Sequence, residues 1–131
     1  MKRTTLLHAE LSEVIARLGH GDMLVIGDAG LPIPDGPRRI DLAVSANLPC
    51  FVDVLKAVLS EMQVESAVLA DEIVARNPAV NAATLQLLGN TPVARMPHED
   101  FKALSARARA IVRTGEFSPY ANVILRAGVV F

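Results

Sequence analysis

Apolar residues recur along this chain at helical spacing in some stretches and as short continuous runs in others. Positions 7, 11, 14, 15 and 18 follow the i, i+3, i+4 recurrence of one helix face, and Gly19 can end that helix. Residues 23–26 are a continuous apolar run, typical of a strand buried on both faces. Residues 19–34 are therefore predicted to form a turn, a buried strand and a second turn.

The rest of the chain continues this alternation. Strands are predicted at 39–44, 64–70 and 91–96, with a second helix from 51 to 62 and a third from Asn77-Pro78 to the stop at Gly89. A fourth helix is predicted from Pro97, and strand structure at 122–125 and 129–131, interrupted at 126–128. The core face predicted for the fourth helix consists of Phe101, Leu104, Ala108, Ile111 and Val112. Alternating strands and helices predict an α/β fold: a single three-layer domain, residues 1–131, with a mostly parallel or mixed sheet between helices.

The composition limits the kinds of partner molecule and the cellular compartment that we expect. The 13 basic and 14 acidic residues give a formal net charge of −1, which indicates neither nucleic acid nor an anionic membrane as a partner. The single cysteine, Cys50, cannot form an internal disulfide, and no apolar run reaches the length of a membrane span, so we expect a cytoplasmic protein. A hydrophobic content of 51% fits burial between subunits of a homo-oligomer, although a well-packed monomer can share it.

Several chemistries lack the residues they need. The three histidines are isolated and no cysteine pair exists, so no metal site is predicted. The glycines at 27 and 30 do not form a phosphate cradle, because prolines at 32, 34 and 37 oppose the helix that such a cradle opens. Cys50 has an apolar context, no serine lies in a nucleophile elbow, and no cofactor motif is present.

The remaining candidates are His, Asp, Lys, Tyr and Asn side chains at element ends, which suit proton transfer and hydrogen bonding to a polyhydroxylated ligand. His20 follows a helix C-terminus, which favours a charged imidazole, whereas the first turn of the fourth helix favours a neutral His98. His98, Lys102 and Arg109 share one predicted stripe, but for the arginines at 107, 109 and 113 a solvated helix face is the preferred interpretation. Asp71 and Glu72 are interpreted as surface charge at a strand end.

A series of motifs identifies a family resemblance that covers essentially the whole chain. The sequence resembles the ribose pyranase and L-fucose mutarotase family, and the 28–34 stretch favours the ribose branch. The motifs that carry the resemblance are LGHGD at 18–22, GDAGLPIP at 27–34, RIDL at 39–42, EMQVE at 61–65, DEI at 71–73, NP at 77–78, TGE at 114–116 and SPYANVIL at 118–125.

The resemblance implies an isomerase without a cofactor, which interconverts the pyranose and furanose forms of free D-ribose. It implies His20 as the proton donor, and substrate contacts from Asp28, His98, Lys102, Tyr120, Ala121 and Asn122. It also implies rings of five subunits stacked as decamers, with each pocket completed by a neighbouring subunit. A mutarotase for L-fucose or another free sugar, a non-catalytic sugar-binding accessory protein and a regulatory ring protein stay open as alternatives.

The spacing of two candidates poses a geometric question. His20 and Asp28 lie at opposite ends of the predicted strand, well over ~10 Å apart if that strand is straight. Either the flanking turns fold back to bring them together, or the two residues serve the pockets of different subunits.

Overall fold

The computed structural model describes residues 1–131 as one six-stranded sheet with five helices. The sheet order is β2-β5-β1-β6-β3-β4, in which β6 runs antiparallel to β1 and β3 while the other pairs are parallel. The predicted α/β fold with a mixed sheet is confirmed. The elements are α1 Ala9–Arg17, β1 Met23–Gly27, β2 Arg38–Asp41, α2 Phe51–Leu59, β3 Val64–Ala70, α3 Ile73–Arg76, α4 Pro78–Leu88, β4 Val93–Met96, α5 His98–Ser105, β5 Ala110–Arg113 and β6 Val123–Ala127.

Strand β1 lies inside the sheet and is buried along its whole length, as its apolar run predicts. Parallel β5 flanks it on one side and antiparallel β6 on the other. Leu24 and Ile26 face the larger hydrophobic core, and Met23 and Val25 face the smaller one. Successive side chains therefore enter opposite cores, which requires apolar residues at every position.

Helices cover both faces of the sheet and produce three layers. Leu11 of α1, Phe51 of α2 and Leu88 of α4 are buried in the larger core on one face. Phe101 of α5 is fully buried in the smaller core on the other face. The packing of Phe101 therefore helps to fix the positions of the first residues of α5.

The predicted fourth helix is wrong in its second half. Helix α5 ends at Ser105, and residues 110–113 form β5, which lies between β2 and β1. Phe101, Ala108 and Ile111 do pack in one core, but they belong to a helix, a turn and a strand. Their spacing resembles that of one helix face because all three are buried on the same side of the sheet. Val112 faces the opposite core, as the alternation of a strand requires.

The strands predicted at 122–125 and 129–131 also need correction. Strand β6 continues through Arg126 to Ala127, because Arg126 pairs with Met23 on one side and Ser66 on the other. Residues 129–131, which were predicted as a strand, pair with no strand of the sheet. The short helix α3 was not predicted, and the other predicted elements are present with bounds shifted by a few residues.

The topology creates two chemically distinct edges of the sheet. The carboxyl ends of β1, β3, β4 and β5 meet the start of antiparallel β6 at one edge, here called the carboxyl edge. The opposite edge, at the starts of β1 and β3 and the end of β6, is called the amino edge. Asp28, His98 and Asn122 adjoin the carboxyl edge, whereas His20 adjoins the amino edge.

Gly115 is required where the chain leaves β5. A Cβ atom there would lie 2.6 Å from the carbonyl oxygens of both Ser45 and Leu48. Backbone atoms cannot move aside as a side chain can, so Gly115→Ala is expected to lower the free energy of unfolding by about 1–3 kcal/mol. Gly19→Ala is the matched control, since its Cβ would meet only Asp22 Oδ2 at 3.6 Å. Urea denaturation at one protein concentration measures both, and equal midpoints would contradict the prediction.

Candidate functional site

Asp28 and Asn122 form a reciprocal hydrogen-bonded pair at the carboxyl edge. The Asp28 N–H donates to Asn122 Oδ1 at 2.8 Å, and Asn122 Nδ2 donates to Asp28 Oδ2 at 3.0 Å. The Gly30 N–H donates to the other carboxylate oxygen of Asp28 at 2.9 Å. Gly27 permits the close approach, because a Cβ there would lie 2.9 Å from Asn122 Oδ1. The end of β1 and the start of β6 therefore hold one carboxyl group in a defined orientation.

The environment of Asp28 alters its acidity. Burial raises the pKa of the Asp28 carboxyl above its ordinary value, against the opposing effects of hydrogen bonds from Gly30 and Asn122 and of the nearby His98. Burial has the largest effect, so the protonated form persists to higher pH than in an exposed aspartate. Such a carboxyl suits hydrogen bonding to a sugar hydroxyl or exchange of a proton with it.

His98 is the first residue of α5 and is held from two directions. Its backbone N–H donates to both carboxylate oxygens of Glu72, at 3.1 and 3.0 Å, so Glu72 stabilises the start of the helix. The ring stacks on Phe101 with centroids 6.1 Å apart and meets the edge of Tyr120 at 5.1 Å. Nδ1 is buried without a hydrogen-bond partner, which leaves Nε2 as the ring nitrogen open to a ligand.

Tyr120 adopts a backbone conformation that tyrosine rarely uses. Its φ of 57° lies in the left-handed region, at a cost of order 1–3 kcal/mol. Asn77 holds the preceding residues by donating from Nδ2 to Ser118 Oγ and to the Pro119 carbonyl, both at 2.8 Å. The buried Ala121 follows it in the larger core. This anchoring sets the Tyr120 ring against His98.

Lys102 lies one helical turn beyond His98, as predicted, but its ammonium group contacts a different partner. Lys102 Nζ forms an ion pair with Glu99 Oε1 at 2.7 Å, and this pair lowers the pKa of Glu99. No contact joins Lys102 to Asp28 or Asn122 within the chain. Arg109, predicted on the same stripe, lies instead at the amino edge, where its Nε donates to Asp22 Oδ1 at 2.9 Å.

His20 lies at the amino edge, where its Nε2 is 2.7 Å from Glu65 Oε2. The strand between His20 and Asp28 is extended over five residues, so roughly 16 Å of backbone separates the two ends. The turn that contains His20 is tied to the end of β6 by the Gly21 N–H, which donates to the Ala127 carbonyl at 2.8 Å. The turns therefore do not fold back, and one chain does not bring His20 to Asp28.

A cavity of about 410 Å³ opens beside Asp28, within the size range of small-molecule sites. Arg113 spans part of it, donating from Nε to the Ala29 carbonyl at 3.0 Å and from an Nη to Asp41 at 3.0 Å. Glu116 is also at the wall and accepts hydrogen bonds from the Phe51 N–H at 2.9 Å and from Ser118 Oγ at 2.6 Å. The lining residues are Asp28, Ala29, Gly30, Arg113, Glu116, Phe117, Ser118 and Pro119.

Sequence reasoning missed the structural roles of Glu65, Glu72, Arg113 and Glu116. Arg113 was assigned to a solvated helix face, and Glu72 to surface charge, although its carboxylate caps α5. Each depends on partners distant in sequence, which spacing does not reveal. The only available signals were the EMQVE, DEI and TGE motifs of the family resemblance, which include Glu65, Glu72 and Glu116 without assigning them a role.

Metal and thiol chemistry find no support in the side-chain arrangement. No group of three or more His, Cys, Asp or Glu side chains is placed to hold a metal ion. Burial raises the pKa of the Cys50 thiol, which disfavours a reactive thiolate. No helix has the length and apolar character needed to cross a membrane.

The fold and its two polar edges define the chain as an α/β protein with candidate sites at both edges of the sheet. It belongs to the RbsD / FucU transport protein family, because the model of that family matches residues 1–130. The chain is similar to the D-ribose pyranases of Symbiobacterium thermophilum, with 60% identity over 131 residues, and of Paracidovorax citrulli, with 63% over 133 residues. Each comparison covers 100% of both chains.

Two solved structures give the same assignment. Bacillus subtilis RbsD complexed with D-ribose is 44% identical, with a TM-score of 0.97 and 100% coverage of both chains. The fucose mutarotase from Streptococcus pneumoniae, in complex with L-fucose, is 27% identical with a TM-score of 0.83, also over 100% of both chains. The resemblance inferred from the sequence motifs is confirmed at the level of the family.

The raised pKa of Asp28 predicts a pH-dependent contribution to stability. The folded state binds this proton more tightly than the unfolded state, so the contribution is fully present below the ordinary value of 3.8 and is lost as pH rises through the folded pKa. The difference in unfolding free energy between the unmodified chain and Asp28→Asn should therefore fall from acid towards neutral pH. Denaturant titrations at several pH values measure it, with the exposed Asp35→Asn as a charge control. A difference that grows with pH would contradict the assignment.

Proposed function

We propose that this chain is a D-ribose pyranase, a cofactor-independent isomerase that interconverts the β-pyranose and β-furanose forms of free D-ribose. The observation that carries the proposal is the polar cluster of Asp28, His98, Tyr120 and Asn122, in a fold that matches the D-ribose complex of Bacillus subtilis RbsD with a TM-score of 0.97. The names of the curated relatives support it over the full length of the chain. Residues 1–131 act as one domain in this proposal.

The reaction needs two proton transfers. To open the ring, a base removes the proton of the anomeric hydroxyl while an acid protonates the ring oxygen, and the bond between C1 and that oxygen breaks to leave an aldehyde. Attack by a different hydroxyl on the aldehyde, with the two protons returned, closes the other ring. Each acid or base role typically contributes 10²–10⁴-fold to the rate. Histidine and aspartate supply such groups without a metal or cofactor.

In this proposal His20 is the proton donor and the carboxyl-edge residues bind the sugar. Asp28 presents to its hydroxyls a carboxyl that the fully buried Asn122 amide holds in place, and His98 offers Nε2 for a further contact. Tyr120 packs against His98 and, with Ala121, continues the binding segment. Lys102 is the remaining sugar contact in this proposal. Its ammonium group reaches the sugar when the ion pair with Glu99 opens.

The separation of the two edges supports a pocket made by two subunits. One subunit supplies His20 from its amino edge, and another supplies Asp28 and its neighbours from the carboxyl edge. Large apolar side chains exposed near the cavity, including Val44 and Phe117 at 78% and 70%, support burial against a further copy. We propose a homo-oligomer of pentameric rings stacked as a decamer, located in the cytoplasm and without nucleic acid or membrane partners.

The main alternative is a mutarotase acting on L-fucose or another free sugar. The fucose mutarotase of Streptococcus pneumoniae supports it by sharing the fold over the whole chain, but its 27% identity is below the 44% of Bacillus subtilis RbsD. A non-catalytic sugar-binding accessory protein would use the same polar cluster without a matched acid and base.

Saturation-transfer NMR on D-ribose tests the activity directly. Added protein is expected to accelerate exchange between the pyranose and furanose signals, and His20→Ala should reduce that acceleration by about 10²–10⁴-fold while leaving the sedimentation coefficient unchanged. His8→Ala is the matched control, since His8 only accepts a hydrogen bond from the Leu11 N–H. Acceleration with L-fucose but not D-ribose would favour the mutarotase, and binding without acceleration would favour the accessory protein.

The two-subunit pocket predicts complementation between inactive variants. His20→Ala and Asp28→Asn should each be inactive alone, whereas their co-expression in equal amounts should restore about a quarter of the sites. A pocket works only when the Asp28→Asn chain supplies its His20 and the His20→Ala chain supplies its Asp28. The NMR exchange assay on the co-purified mixture measures the recovery. A mixture as inactive as its components would contradict a pocket shared in this way. Two copies of the Asp28→Asn chain carrying different tags provide the co-expression control.

A further inference from the structure

Glu65 contacts the proposed proton donor, although 45 residues separate the two in sequence. Its Oε2 lies 2.7 Å from His20 Nε2, with the side chains 37% and 63% exposed. No other residue forms a hydrogen bond with the His20 ring within the chain. This contact is the one feature that distinguishes the two ring nitrogens of His20.

The backbone places Glu65 and His20 side by side at the amino edge of the sheet. Glu65 is the second residue of β3, at a point where the register between β3 and β6 shifts. Gly128 lies directly against it, since a Cβ there would be 3.0 Å from Glu65 Cβ, and the Gly128 N–H donates to the Gln63 carbonyl at 2.9 Å. The residue before Gly128, Ala127, accepts a hydrogen bond through its carbonyl from the Gly21 N–H, in the turn that contains His20. The end of β6 thus ties both side chains to one framework.

We infer that Glu65 is a positioning residue that holds His20 through Nε2–H and thereby makes Nδ1 the nitrogen that exchanges a proton with the sugar. An ionised carboxylate only accepts hydrogen bonds, so the contact requires a hydrogen on Nε2 whether the ring is neutral or charged. The neutral ring then carries its lone pair on Nδ1, and the charged ring carries its second proton there. The inference rests on the proposed function for the identity of the reaction.

The proton transfer follows from this arrangement. The Nδ1–H bond breaks as a bond from that hydrogen to the sugar ring oxygen forms, and the electron pair of the bond between C1 and the ring oxygen goes to the oxygen. The anomeric hydroxyl gives its proton to a base in the same pocket, so charge and atoms balance. His20 is left neutral with its lone pair on Nδ1, while Nε2–H continues to donate to Glu65. The opposite proton movement accompanies ring closure.

Nitrogen-15 NMR of the His20 ring tests the contact without requiring catalysis. When the ring is neutral, the unmodified protein should show a single Nε2–H tautomer, and Glu65→Gln should keep it because the amide oxygen can still accept the hydrogen bond. Glu65→Ala should shift both ring nitrogens towards a mixture of tautomers. Glu61→Gln is the matched control, since it removes a carboxylate that pairs with Lys2 and has no hydrogen bond to His20. Identical His20 shifts in the unmodified and Glu65→Ala proteins would overturn the inference.

Kinetics supply the second readout. Glu65→Ala should lower the exchange rate at saturating D-ribose by about 10- to 100-fold, the range typical of losing the hydrogen-bond partner of a metal-bound histidine, with KM nearly unchanged. Glu65→Gln should recover much of that loss, and sedimentation should show the assembly intact in both. A Glu65→Ala rate within twofold of the unmodified protein would overturn the positioning role. If the unmodified protein accelerates no exchange, the proposed function fails while the nitrogen-15 result still decides the contact.

Discussion

The burial of β1 on both faces governs where chemistry can occur in this protein. Its side chains alternate between two hydrophobic cores, so a charged group within it would lose hydration without a partner. Polar residues are therefore confined to its two ends, where His20 and Asp28 stand. The length of the strand then keeps them apart, which makes the spacing between His20 and the polar residues of the carboxyl edge a property of the sheet.

The antiparallel direction of β6 has an equally direct effect on the site. Because β6 enters the sheet at the carboxyl edge, Tyr120 and Asn122 precede it at the same edge where β1 ends at Asp28. A parallel β6 would place Asn122 at the amino edge, beside His20. The same strand leaves the sheet at the amino edge, where Ala127 and Gly128 support the turn of His20 and the backbone near Glu65.

Acidic side chains hold these edges together, and none of them was recognised from sequence. Glu72 caps the helix that begins with His98, Glu116 binds the first N–H of α2, and Glu65 meets His20. Their partners are 26, 65 and 45 residues away in sequence, so the local spacing of residues does not reveal these contacts. Helix α5 and β5 were merged for a related reason, since Phe101 and Ile111 reach one core from different elements.

The sequence by itself determined the α/β class, the buried strand at 23–26, most helices and strands, and, through its motifs, the family. These features depend on local spacing of apolar residues and on turn chemistry, which are readable along a chain. The tertiary structure alone decided the strand order, the direction of β6 and the pairing of Asp28 with Asn122. Strand order and direction depend on long-range pairing, which spacing along the chain does not encode. The structure also decided that His20 and Asp28 remain at opposite edges, because the turn that contains His20 is held at the end of β6 and does not fold back.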